Sequence, residues 1–394
     1  MSLEVLISGA SVAGPALAYW LVRHGCAVTV VERAVVLREG GYAVDFRGDA
    51  HLGVLRRMGV LGEIEAARTR MGAMVTVDRD GRERWTMPED LFAGDVEILR
   101  GDLVRILYEA SRDGAEYVFG DSVTALEEDP DGVRVTFEHG PPRRYDLVIG
   151  ADGYHSNVRS LAFGPEHRYA THLGLYNAVF TTDNHLKLDH SGLGYSERGR
   201  LVAIYSARGN TEAKAMFYFA SPPLDDEGRR DPERQKKILA ERFAGHGWET
   251  ERLLAAMADA PDFYFDAVGQ IHVDGWSRGR VALLGDAAAC PSSLSGMGTG
   301  LAVVGAYVLA GEIAASPKDH RAAFARYEAV MRPYAERCQK QGKGAAKFIA
   351  PEGRIMTWLL AQQQRAFPYL PGKGLIAKAA RRTAEAVDLP DYAL

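Results

Sequence analysis

The stretch from Glu4 to Glu32 constrains the fold more than any other part of the chain. Glu4-Val5-Leu6-Ile7-Ser8 reads as a short buried strand, and Gly9-Ala10-Ser11-Val12-Ala13-Gly14 follows it at once. An apolar helical run continues through Leu17, Ala18, Leu21 and Val22 and stops at Gly25; Ala27 to Val31 is then a β-branched strand ending on Glu32. Strand, glycine turn, helix, strand and acid, in that order, predict a dinucleotide-binding βαβ unit. Gly9 permits the tight turn out of the strand, and Gly14 lets the helix pack closely on the sheet. The helix N-terminus offers backbone N–H groups and a positive dipole end to a pyrophosphate. Glu32 can accept hydrogen bonds from a ribose diol. Ser11 stands where the middle glycine of such loops usually lies, and it is small enough to keep the backbone approachable.

This loop fits NAD and FAD equally, and two later segments bear on the choice. Tyr145 to Gly150 is an apolar strand running into Ala151-Asp152-Gly153, with Ser156, Asn157 and Arg159 at the start of a helix. Arg280 to Leu284 is another, running into Gly285-Asp286-Ala287-Ala288. A glycine loop, Ser295-Gly296-Met297-Gly298-Thr299-Gly300-Leu301, then opens a helix through Ala302, Val303, Ala306, Leu309 and Ala310. Three strand ends therefore each deliver glycine plus acid, and in an open parallel sheet such ends converge where ligands bind. Asp286 suits a ribityl or ribose hydroxyl, and the loop from Gly296 to Gly300 suits a flavin carbonyl or a phosphate.

Together these segments resemble the class A, single-component FAD-dependent aromatic hydroxylases, the para-hydroxybenzoate hydroxylase superfamily. Within it they look most like the tetracycline-inactivating and polyketide-tailoring monooxygenases of bacteria. The matching motifs are Gly9 to Gly14 with Glu32 and Arg33, Arg100 to Leu103 with Leu107, Gly150 to Gly153, and Gly285 to Ala288 with Gly296 to Gly298. The chain departs from the family pattern at Ala289, where histidine is common, at Ser293, where proline is common, and at Gly305, where an acid is common. Gly40 to Gly48 resembles the family segment beside the isoalloxazine ring, which makes Asp45 and Arg47 ring or ribityl neighbours.

The resemblance implies FAD as cofactor, held by Gly9, Ser11, Ala13, Gly14, Glu32, Arg33, Asp45, Arg47, Arg100, Asp152, Asp286, Gly296, Gly298, Thr299 and Gly300. It implies NADPH or NADH as transient reductant, and a flavin C4a-hydroperoxide that passes OH to a bulky aromatic or polyketide-like small molecule. The alternatives are an FAD-dependent reductase or dehydrogenase of the same fold and a non-catalytic flavin- or drug-binding protein. Tyr176, Tyr205 and Phe217, on strands of the second sheet, are the expected substrate contacts. No catalytic base is identified. A monomer or a homodimer is expected.

The expected fold is α/β (α+β): a Rossmann-like FAD-binding domain with a three-layer sheet, an interleaved β-sheet substrate domain, and C-terminal helices. The FAD-binding domain takes residues 1–73, 88–168 and 273–330, the β-rich substrate domain 74–87 and 169–272, and a helical segment 331–394. Met74 to Asp78 and Arg82 to Met87 read as a hairpin with a two-residue Asp80-Gly81 turn. Residues 114–150 read as a small β-rich section with strands at Glu116 to Phe119, Ser122 to Leu126 and Val133 to Phe137. Later strands are expected at Leu175 to Thr181, Leu201 to Ser206, Ala215 to Ala220 and Tyr264 to Val273, with a helical insert from Pro232 to Phe243. Pro351, Pro368 and Pro371 break the C-terminal helices.

Composition closes other routes. The net charge of −5 gives no bulk reason to bind nucleic acid or an anionic membrane. Cys26, Cys290 and Cys338 are scattered and odd in number, which fits a reducing cytoplasm rather than a disulfide framework. There is no HExxH or CxxC metal pattern and no GxSxG nucleophile elbow. No apolar signal segment opens the chain, and the apolar run from Leu301 to Gly311 is about half of what spans a bilayer.

Overall fold

The computed structural model describes residues 2–38, 40–87, 94–224, 231–351, 353 and 381–392. Pro368 and Pro371 lie outside them. Glu4–Ser8 and Ala27–Glu32 pair in parallel, with Val5 opposite Val28 and Ser8 opposite Val31, and the helix Ala13–Arg23 crosses between them. Leu147–Gly150 pairs in parallel on the other side of the first strand, then Val281–Leu283 beside it. The six-stranded order is Ser277–Arg278, Val281–Leu283, Leu147–Gly150, Glu4–Ser8, Ala27–Glu32, Ala115–Phe119. The central strands are mostly apolar because both faces of a parallel sheet are covered, and Val5, Leu6 and Ile7 are fully buried.

Ala115–Phe119 corrects the sequence reading. It is the parallel edge strand of this sheet, paired with Ala27–Glu32, and not part of the small β section. The small sheet is built from Val123–Asp129, Gly132–Phe137 and Arg143–Tyr145 alone. The β-rich runs of this stretch look alike in sequence, and pairing partner, not propensity, separates them.

The second large sheet has seven strands, in the order Phe263–Ile271, Ala170–Thr182, Glu212–Ala220, Arg200–Ala207, Gly192–Glu197, Met74–Val77, Glu83–Met87. The 74–87 hairpin joins it through a parallel pairing of Met74–Val77 with Gly192–Glu197. The hairpin's turn is longer than the two-residue loop expected. Asp78 N donates to Arg82 O at 2.9 Å, and Arg79, Asp80 and Gly81 lie between, with Gly81 at φ +80°. Gly192–Glu197 was not anticipated, since its Gly-Leu-Gly start reads as a loop. A Cβ on Gly192 would lie 2.2 Å from Met74 Sδ, so glycine here makes room for the neighbour across the strand pair. The predicted insert forms the helix Pro232–Phe243, capped by Asp231 accepting from Glu233 N.

A short antiparallel pair, Ala43–Phe46 with Val96–Leu99, lies between the two large sheets. The helix Gly298–Ala315 is longer than the apolar run suggested, and its 18 residues are long and apolar enough to cross a membrane. It is a core helix instead, buried along all but its ends against the helices Ala13–Arg23 and His320–Ile349. Its far end is clasped by the tail of the chain. Tyr307 donates to Pro390 O at 2.9 Å, Tyr392 donates to Glu312 Oε1 at 2.8 Å, and the Tyr392 ring fills the space where a Gly311 Cβ would stand.

Candidate functional site

The loops after Glu4–Ser8, Leu147–Gly150 and Val281–Leu283 open on one edge of the parallel sheet, and all three line a single cleft of about 2870 Å³. An ordinary small-molecule pocket reaches roughly 1000 Å³, so this cleft has room for a dinucleotide and a second molecule. It runs from the Gly9 loop past the Ala43–Phe46 strand to the face of the seven-stranded sheet.

At the first corner, Gly9 has φ +106°, and a Cβ there would lie 2.7 Å from Ala151 O. Glu32 faces the cleft and holds the loop, accepting from Ala10 N at 2.8 Å and Ala34 N at 2.9 Å. Two of a carboxylate's roughly four acceptor positions remain. Ser11 Oγ accepts from Arg100 Nη2 at 2.8 Å, which ties the loop to the start of the helix Arg100–Ser111.

At the second corner, Asp152 lines the cleft but its carboxylate is directed inward. It accepts from Ser156 Oγ, from Asn157 N at 2.8 Å, from Val158 N at 3.0 Å and from Ser8 Oγ at 3.3 Å. It thus holds the start of the helix Asn157–Ala162 against the first strand. The buried Arg159 joins this corner to the third, donating to Tyr154 O at 2.6 Å and to Ala287 O at 3.1 Å. At the third corner Asp286 is half-buried; desolvation raises its pKa, and the Cys290 thiol and the Arg100 guanidinium oppose that rise.

Two helices begin on this cleft without caps. Val12 and Met297 precede Ala13–Arg23 and Gly298–Ala315; neither side chain caps its helix, and neither first turn contains an acid. Uncapped N–H groups with a positive dipole end favour negative charge. One such end suits a pyrophosphate and the other an anionic reduced ring, so this donor set fits a flavin dinucleotide.

Gly296, Gly298 and Thr299 line the cleft beside the second of these helix starts. Ala13, Arg33, Asp45 and Arg47 line it as well. Asp45 and Arg47 form an ion pair at 3.0 Å, and Gly94 N donates to Asp45 at 3.0 Å. Gly14 and Gly300 do not line it. A Cβ on Gly14 would lie 1.9 Å from Gly9 O, and one on Gly300 would lie 2.1 Å from the His51 ring. Both glycines allow packing beneath the site rather than contact with a ligand.

Of the aromatic residues expected to meet substrate, Tyr205 lines the cleft on the sheet's near face; Tyr176 reaches the cleft's margin, but its ring is buried on the far face, stacked on Phe219 and Phe265, and Phe217 does not line it. Phe217 is fully buried on the far side of its sheet, stacked on Phe180 at 5.7 Å and against Phe243 at 4.9 Å. Side chains alternate along a strand, so its neighbours Met216 and Tyr218 face the cleft instead. Sequence reasoning also passed over Glu97, Tyr42 and Tyr264, and Arg337, Lys340 and Gln341 from the helix His320–Ile349. Alternation along Val96–Leu99, just ahead of Arg100, is the signal that points to Glu97.

Residues 2–341 match the FAD binding domain family. An uncharacterised Mycobacterium tuberculosis protein is 49% identical over 344 residues, covering 85% of this chain and 91% of its own length. A flavin-dependent monooxygenase from an unknown prokaryotic organism is 40% identical over 394 residues and 99% of both chains. The crystal structure of the tetracycline destructase Tet(51) superposes with a TM-score of 0.88 at 34% identity, covering 100% of both chains. The chain thus belongs to the FAD binding domain family and is an FAD-dependent monooxygenase.

Proposed function

We propose that the chain uses NADPH or NADH and O₂ to hydroxylate a bulky aromatic or polyketide-like small molecule bound between the flavin and the seven-stranded sheet. The observation that carries this reading is the single cleft that joins two uncapped helix starts to the sheet face bearing Tyr205, Met216 and Tyr218. Likeness to a tetracycline destructase along the whole chain supports a polycyclic substrate.

In this reading the N-terminus of Ala13–Arg23 holds the FAD pyrophosphate and Glu32 the adenosine ribose. Arg100 and Asp286 hold the central part, and the Gly296–Thr299 loop faces the flavin ring. Bound flavin supplies the redox chemistry that activates O₂ and delivers one oxygen atom to the substrate. The protein orients the acceptor carbon and keeps water out. Residues 74–87 and 169–272 form the substrate side, and the rest of residues 1–330 the cofactor side. The three free thiols fit a reducing cytoplasm.

The test is turnover of the purified yellow protein with tetracycline and a panel of polycyclic phenols under ¹⁸O₂. Substrate-stimulated NADPH oxidation and a product heavier by one labelled oxygen are expected. Product without label across the panel would rule out hydroxylation. For the cofactor site, Glu32→Ala and Asp286→Ala should each weaken FAD retention about tenfold or more, read by flavin content after gel filtration. Full retention in both would overturn the assignment.

A further inference from the structure

Between the Ala43–Phe46 strand and the seven-stranded sheet, the cleft ends in a methionine-lined chamber. Met71, Met87 and Met216 face it together with Tyr205, whose hydroxyl accepts from Ala43 N at 3.3 Å. One acidic group breaks this apolar wall. Glu97 is 9% exposed, and among the described residues its side chain's one hydrogen bond is from Thr69 Oγ1 to Oε1. Glu97 lines the cleft, and among the described residues Oε2 accepts no hydrogen bond. Asp45 lies directly opposite Glu97 in the strand pair, on the same face. Asp45 is already paired with Arg47, whereas Glu97 has no ion-pair partner among the described residues.

The geometry points to Glu97 as the residue that sets substrate class: its open carboxylate oxygen receives a ring hydroxyl of the substrate, and its charge turns aromatic acids away. This rests on the proposed function above and gives that site a chemical preference. A soft methionine wall adapts to fused rings of varied outline. A buried acceptor that would be left without a donor discriminates against ligands that cannot supply one. An incoming carboxylate would bring a third acid beside Asp45 and Glu97. Burial, then the Asp45 charge, push Glu97 up to about 7, against smaller opposing effects of Thr69 and Arg47. The group therefore exchanges its proton near neutrality, as an acceptor for a phenol or enol requires.

Two matched probes test this on the FAD-loaded protein: 1,8-dihydroxyanthraquinone and the same ring system carrying a 2-carboxylate. Binding is read from perturbation of the flavin spectrum at pH 8. Like-charge contacts cost several kcal/mol, so the wild type should prefer the uncharged probe by about 30-fold or more. Glu97→Gln should reduce that preference below about 3-fold, chiefly by tighter binding of the carboxylate probe, and Glu97→Asp should restore most of it. Unchanged selectivity in Glu97→Gln, or no binding of either probe to FAD-loaded wild type, would overturn the proposal. A wild type that cannot be loaded with FAD would overturn the cofactor reading beneath it instead, and this proposal with it.

Discussion

Gly14 and Gly300 are the residues at which one methyl group is expected to do most harm. Gly14→Ala sets a Cβ against a backbone carbonyl, which cannot rotate away, so the first turn of the helix must shift off the strand. Loss of FAD binding, with a destabilisation of roughly 1–3 kcal/mol, is expected in thermal melts. Gly300→Ala meets the fully buried His51 ring and should cost a similar amount. Glu97 gives a pH-dependent signature. Its pKa is raised in the fold, so the folded state binds the extra proton, and stability falls as pH rises from about 4.5 to about 7. A shift of this size corresponds to roughly 3 kcal/mol. Glu97→Gln should therefore be more stable than wild type at pH 8, with the difference fading toward pH 5 in denaturant titrations.

At the scale of elements, His51 links two helices. The helix Gly48–Arg57 carries it, Arg47 N donates to its Nδ1 at 3.1 Å, and its Nε2 meets Tyr334 Oη of His320–Ile349 at 2.5 Å. Burial, helped by the Arg47 charge, holds its pKa down at about 4. The unfolded chain binds a proton near pH 6.5 that the folded chain refuses, so stability is lost as pH falls from about 6.5 to about 4. His51→Gln should shrink the drop in Tm between pH 7 and pH 5. Elements such as Glu4–Ser8, Ala13–Arg23 and Pro232–Phe243 were legible because local hydrophobic pattern, and for the last its Asp231 cap, specify them. Ala115–Phe119 and Gly192–Glu197 were not, because their place depends on a partner strand far away in sequence. The same limit hid Glu97: its neighbours Asp45, Thr69 and Tyr205 come from separate segments, and only the folded chain brings them together.

At the scale of the whole molecule, the two large sheets are joined across the cleft's rim by His155. The ring bridges Glu166 at 2.8 Å and Asp266 at 3.1 Å, and Asp266 belongs to the seven-stranded sheet. Burial opposes the charged ring, but hydrogen bonds to Asp266 and Glu166 outweigh it and raise the pKa to about 9. The bridge's contribution is complete below about pH 6.5 and disappears as pH rises through 9. The imidazole is half exposed, so about 1 kcal/mol or less is expected. His155→Ala should melt lower than wild type at pH 7 and equally at pH 10.

The helix Gly298–Ala315 has one end at the proposed flavin ring and the other in the grip of Pro390 and Tyr392. A rod so tightly enclosed can only move as one piece. Trimming the last few residues would leave Gly311 with a notch and Glu312 without its tyrosine, and the slack would be transmitted some 25 Å along the axis, at 1.5 Å per residue. The colour of the protein should thus report on an anchor that never touches the dye.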